Sequence, residues 1–147
     1  MLDIQLLETD LDAVAAHAAF MKAHGAAGAV VSFTGLVRAD GGTQSLYLDW
    51  YPGMTEASLR EIGDAAMARF APAAAVVLHR CGEVRVGQPI VFVAASSPHR
   101  RAAFEAADYM MDRLKSEAAL WKREVTADGA HWVEPRIEDA ADLGRWK

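Results

Sequence analysis

The sequence predicts an α+β domain with a mainly antiparallel sheet and helices packed on it. Three observations lead there. Short runs rich in β-branched residues alternate with segments of helical period, turn residues separate the runs, and no internal repeat or low-complexity linker interrupts the 147 residues. The resulting string is β-α-β-β-α-β-β-α-β, and residues 1–147 are expected to form one domain.

Ile4 to Leu7 suits a first strand. Thr9 is placed to cap a helix, with Asp12 three residues on, and Gly25 stands where that helix would stop. Gly28 to Val37, GAVVSFTGLV, reads as a strand; Asp40, Gly41 and Gly42 make a flexible turn, and Ser45 to Trp50 reads as a hairpin return. Pro52 and Gly53 end that strand, and a helix runs from Thr55 to the neighbourhood of Phe70, where Pro72 stops it. Ala75 to Leu78 and Pro89 to Ala95 are two more strands, separated by a turn region from Gly82 to Gly87. Ser97 as cap and Pro98 as first residue open the longest helix, whose apolar pattern continues to Trp121. His131 to Val133 forms a last short strand before a polar tail.

Composition narrows the function. The formal charge is −5, with 52% hydrophobic and 24% charged residues, which argues against general nucleic-acid binding while leaving room for a local basic site. Gly, Pro or charge breaks every apolar stretch well before the roughly 20 residues of a membrane span. The single cysteine, Cys81, cannot close an internal disulfide, and the acidic start MLDIQLLETD lacks a signal peptide's basic flank. A cytoplasmic location is expected. Cys81 lies near a strand end and reads as a structural thiol rather than a nucleophile, and His17, His24, His79 and His131 show no metal-like spacing, so these residues read as packing or surface positions.

Two clusters could carry chemistry. In SSPHRR, Ser96 to Arg101, a strand gives way to a helix whose free N–H groups favour an anion, and His99, Arg100 and Arg101 add donors. The same residues could simply start a helix and be solvated. In KSEAALWK, Lys115 and Lys122 are seven residues apart. On a continuous helix they would point the same way, about 10 Å apart along the axis. They would share an edge with Phe104, Met111 and Ala118, leaving Arg113, Glu117 and Glu124 on the solvated side. Lysines at the margin of an apolar stripe suit a partly desolvated pocket with a depressed pKa, or they snorkel over apolar surface. Arg38, at the mouth of the Gly-rich turn, is a third place for an anion or a plain strand end. Tyr109 and Leu120 project from the solvated side, where a protein contact could form.

GAVVSFTGLVR (Gly28 to Arg38), YPGM (Tyr51 to Met54), SSPHR (Ser96 to Arg100), DRLKSEAALWKRE (Asp112 to Glu124) and HWVE (His131 to Glu134) together resemble the molybdopterin synthase large-subunit family. The resemblance spans nearly the whole chain. It implies an α/β-hammerhead fold with an additional antiparallel sheet. It also implies a sulfur transferase of molybdenum cofactor biosynthesis, which converts cyclic pyranopterin monophosphate, or precursor Z, to the dithiolene molybdopterin. The sulfur would come from the C-terminal Gly-Gly thiocarboxylate of a small ubiquitin-like sulfur-carrier subunit. Two large subunits would form the central homodimer of a heterotetramer. No metal or cofactor is implied.

Carried over on matching motifs, the resemblance makes Lys115 and Lys122 the catalytic lysines. It makes Arg38, His99, Arg100, Met111 and Arg136 substrate-binding, with His99 and Arg100 reaching the pocket of the neighbouring subunit. The turn after Arg38, ADGGTQ, is a few residues shorter than is common in the family, and Trp50 stands where His or Ala is usual. The alternative from another class is a noncatalytic module that binds a Gly-Gly tail or an anion. An ordinary phosphate-binding hydrolase lacks a nucleophile or metal set here.

Overall fold

The computed structural model describes residues 1–147 and divides eight strands between two four-stranded sheets. The first sheet has the order β1 (Leu2–Leu7), β4 (Ala74–Arg80), β6 (Pro89–Ser97), β2 (Ala29–Leu36). Its β1–β4 pair is parallel and the other two pairs are antiparallel. The second sheet is wholly antiparallel, in the order β5 (Gly82–Arg85), β3 (Ser45–Trp50), β7 (Leu120–Thr126), β8 (Gly129–Trp132). Four helices accompany them: α1 (Ala13–His24), α2 (Met54–Phe70), α3 (Arg100–Glu117) and α4 (Ile137–Gly144). The mixed α+β class and the additional antiparallel sheet are as expected.

β6 shows why the first sheet is covered on both faces. PIVFVAASS is nearly continuous in small and apolar side chains, the pattern of a strand with no solvent face. Val91 and Val93 join the core formed with Leu59, Ile62 and Met110 of α2 and α3. Phe92 and Ala94 point the other way, into a smaller cluster with Phe20 of α1. Each such Val, Leu or Phe, fully buried, contributes about 1.5–3 kcal/mol. At the edge of this sheet Gly28, with φ +122°, lies so close to α3 that an added Cβ would stand 2.8 Å from the Pro98 carbonyl oxygen. Only glycine fits, and that approach ties the start of β2 to the start of α3.

Several expectations need correction. Asp12, not Thr9, caps α1, accepting from the Ala15 N–H at 3.0 Å. β3 is not the hairpin return of β2: β2 pairs with β6, whereas β3 crosses to the second sheet between β5 and β7. The Gly82–Gly87 turn contains a strand, β5, made possible by the open edge of β3. Ser97 ends β6, and His99, without a side-chain capping bond, is the N-cap of α3.

The largest error concerns the long helix. It stops at Glu117, and Leu120–Thr126 turns into β7. LWKREVT satisfies a two-residue period as well as a helical one, and the backbone partners waiting on β3 decide in favour of the strand. Lys115 and Lys122 therefore sit on different elements, and their shared helical edge does not exist. The polar tail also folds, as α4 packed on α3. With α2 and α4 in place, Tyr109 is 7% exposed rather than solvated, in edge-to-face contact with Phe70 and Trp146. Arg113 is largely enclosed as well, bonded to Glu117, Glu61 and the Tyr109 hydroxyl.

Candidate active site

The two sheets and the last turns of α3 enclose a cavity of about 610 Å³. Its floor is apolar, with Val37, Ile90, Val91 and Leu114 buried against the core, and its rim is charged. Arg38 follows β2 and forms a loose, exposed ion pair with Asp40 at 3.5 Å. Met111 and Lys115 descend from α3, Lys122 comes from β7, and Arg136 stands on the segment entering α4. Arg136 pairs with Glu138 at 3.5 Å, and its N–H donates to Asp139, which also lines the cavity.

Register aims Lys122. On β7, Leu120, Lys122 and Glu124 alternate with Trp121, Arg123 and Val125, and Lys122 faces Leu48 across the β3 ladder. Glu124 accepts from the Thr43 hydroxyl beside the cavity, while Arg123 leaves on the opposite side. There Arg123 donates to both Asp49 oxygens, at 2.8 and 3.0 Å, and stacks over Tyr47 and Trp132. That pairing holds β7 in register and Lys122 in place. Burial pushes the Lys122 ammonium down to about 8, helped by repulsion from Lys115 and opposed by Asp139. An amine of that kind exchanges protons near neutral pH, and Lys115 beside it supplies positive charge.

His79 lines the same cavity from β4, a role that its place in the sequence, as a packing or surface residue, does not announce. It is 6% exposed, and its Nδ1–H donates to the Arg80 carbonyl at 2.8 Å. Burial depresses its pKa to about 4 against that backbone bond, and repulsion from Lys122 and Lys115 adds to the shift, so the ring is neutral. The available signal was its position in AAVVLHR, where a polar residue interrupts an apolar strand.

Of the seven residues that the family motifs single out, Arg38, Met111, Lys115, Lys122 and Arg136 share this cavity. His99 and Arg100 do not. They stand exposed at the other end of α3, and from Arg100 to Lys115 the helix climbs about 22 Å. A second depression, about 300 Å³ between α1 and the first sheet, is mainly apolar and carries no comparable cation cluster. Cys81 is buried away from both cavities, its thiol pushed up to about 11 chiefly by burial. No group of three His, Cys, Asp or Glu side chains is arranged to hold a metal ion, and no helix is long and apolar enough to cross a membrane.

Residues 6–117 match the family described as MoaE protein. The chain belongs to the MoaE family. A molybdopterin synthase catalytic subunit from Ralstonia nicotianae is 47% identical over 146 residues, which cover 97% of this chain and 83% of that one. Among solved structures, the molybdopterin biosynthesis MoaE protein from Burkholderia ambifaria superposes with a TM-score of 0.84 at 38% identity, covering 99% of this chain and 98% of that one. A complex of subunits 1 and 2 of molybdopterin-converting factor from Helicobacter pylori shares the fold, with a TM-score of 0.76 at 21% identity over 90% of this chain and 91% of that one. Within the MoaE match lie Arg38, His79, Met111 and Lys115, whereas Lys122 and Arg136 follow it.

Proposed function

We infer that this chain is the catalytic subunit of a molybdopterin synthase, a sulfur transferase of molybdenum cofactor biosynthesis that converts precursor Z to molybdopterin. The observation that carries the inference is the meeting of Lys115 and Lys122 in one apolar-floored, cation-rimmed cavity, in a chain whose relatives bear that name. Cyclic phosphate and thiocarboxylate are both anions, and Arg38, Arg136 and Lys115 are donors suited to them. Lys115 stabilises the charge that develops as sulfur leaves the carrier's acyl group, and Lys122 moves the accompanying proton. In each transfer a carbon–sulfur bond forms on the pterin as a carbon–oxygen bond to the same carbon breaks, its oxygen leaving as water or staying on the phosphate as the cyclic ester opens, and water cleaves the acyl–sulfur bond to leave the carrier as a carboxylate. Two carriers are consumed per dithiolene.

The sulfur donor in this reading is a small ubiquitin-like carrier subunit whose Gly-Gly tail enters the cavity. The Helicobacter pylori neighbour, itself a two-subunit complex, supports such an assembly. His99 and Arg100 lie too far along α3 to serve their own cavity; in keeping with the role the family resemblance implies for them, they complete the phosphate site of a second copy in a central homodimer. Residues 1–147 act as one catalytic domain, and a cytoplasmic location fits its one buried free thiol.

The test is reconstitution with thiocarboxylated carrier and precursor Z. Dithiolene product is expected. Carrier binding without product would instead establish a noncatalytic tail-binding module.

A further inference from the structure

The cavity is rich in hydrogen-bond donors, and its carboxylates lie at the rim. Arg38, Lys115, Lys122 and Arg136 all donate. Among the carboxylates, Asp40 is paired with Arg38, Glu124 accepts from Thr43 and Asp139 accepts from the Arg136 backbone, while Glu134 stands exposed at the rim without a partner. His79 differs from all of these. It is the one buried polar side chain lining the cavity, set among Val91, Ile90 and Leu114. Its Nδ1–H is committed to the Arg80 carbonyl, which fixes both the ring and its tautomer and leaves Nε2 with a lone pair and no partner within the chain. Only Arg80 Nε and Ser96 Oγ are fully enclosed without a partner, so Nε2 keeps a small accessible surface on the cavity, where a molecule bound there can supply a donor.

The pterin of the proposed substrate provides one. Its anionic phosphate is served by cations, but its ring N–H and amino groups are donors that no arginine or lysine can satisfy. We propose that His79 Nε2 accepts a hydrogen bond from an N–H of the bound pterin and so fixes the depth and orientation of the ring beneath Lys115 and Lys122. The proposal rests on the reading of the chain as a molybdopterin synthase. Neutrality suits the role, because an imidazolium facing Lys115 of α3 and Lys122 of β7 would offer no lone pair and would add to their mutual repulsion.

The experiment uses the reconstituted enzyme with native His79, His79→Phe and His79→Gln. Phenylalanine fills the site without an acceptor, and the glutamine amide oxygen reaches about where Nε2 stood. His79→Phe is expected to lose about tenfold or more in kcat/KM for precursor Z, mostly in KM, with carrier affinity and thermal midpoint near native values. His79→Gln recovers most of that loss. In native protein with 15N-labelled histidine, the Nε2 resonance should shift when precursor Z is added without carrier.

Native turnover by His79→Phe, equal damage in both variants, or an unmoved Nε2 resonance would each overturn the proposal. If His79→Phe does not fold, the glutamine variant and the resonance decide. A native enzyme that makes no product contradicts the proposed function, while the resonance still reports whether the ring accepts from the pterin.

Discussion

Leu48 and Lys122 are register partners across β3 and β7, so a lysine leaves its strand beside a side chain with no exposed surface. This placement, rather than helical spacing from Lys115, depresses the Lys122 pKa to about 8. The neutral amine is then substantially populated near physiological pH. If Lys122 accepts a proton during sulfur transfer, kcat/KM should rise with pH through about 8. Lys122→Arg, permanently charged, should lose that rise and most of the activity. A profile that falls through the same pH would assign the work to the ammonium instead.

Lys122 should also cost stability. Its folded pKa lies below the usual 10.5, so the unfolded chain binds more protons between about pH 8 and 10.5, and stability contributed by this group rises with pH across that window. Lys122→Met should remove the dependence and stabilise the protein at pH 7 by about 1–3 kcal/mol, while abolishing turnover. Urea unfolding at several pH values measures both.

Lys115 acts on Lys122 as well as on substrate. Lys115→Ala should lose about a hundredfold or more in sulfur transfer yet still bind the carrier. Because Lys115 is one cause of the depressed Lys122 pKa, its removal should move the Lys122 titration upward from about 8. NMR of the labelled lysine side chain reads this directly, and an unmoved titration would show that the two charges do not interact.

Trp146 fastens the C-terminal helix to the site. Its ring meets Phe70 and Tyr109 edge-to-face, and its Nε1–H donates to Asp112 at 2.6 Å. Trp146→Ala should free α4, speeding hydrogen exchange from Ile137 to Gly144, and should raise KM more than it lowers kcat, because Arg136 and Asp139 lose their fixed place. The expected loss of stability is about 2–3 kcal/mol.

Local patterns located much of the fold. The β-branched run ending at Leu36, the Pro72 stop and the continuous apolar PIVFVA each marked an element correctly to within a few residues. Pairing was less accessible, because neither β2 nor β3 states which strand it will meet, and the second sheet is joined by residues far apart in sequence. Leu120–Thr126 was ambiguous in period until β3 supplied a partner. The site followed the same division. Lys115, Lys122, Arg38, Met111 and Arg136 were singled out from motifs, and their common cavity is a property of the two sheets. His79 stayed hidden because a lone histidine in an apolar strand looks like packing until the cavity beside it is visible.

The most direct measurement is a single-turnover assay of the native chain with precursor Z and a limited amount of thiocarboxylated carrier, counting dithiolene formed against carrier consumed. The account predicts one molybdopterin for two carriers converted to carboxylate, with almost none from Lys115→Ala. Carrier consumed without dithiolene, or equal product from Lys115→Ala, would contradict it.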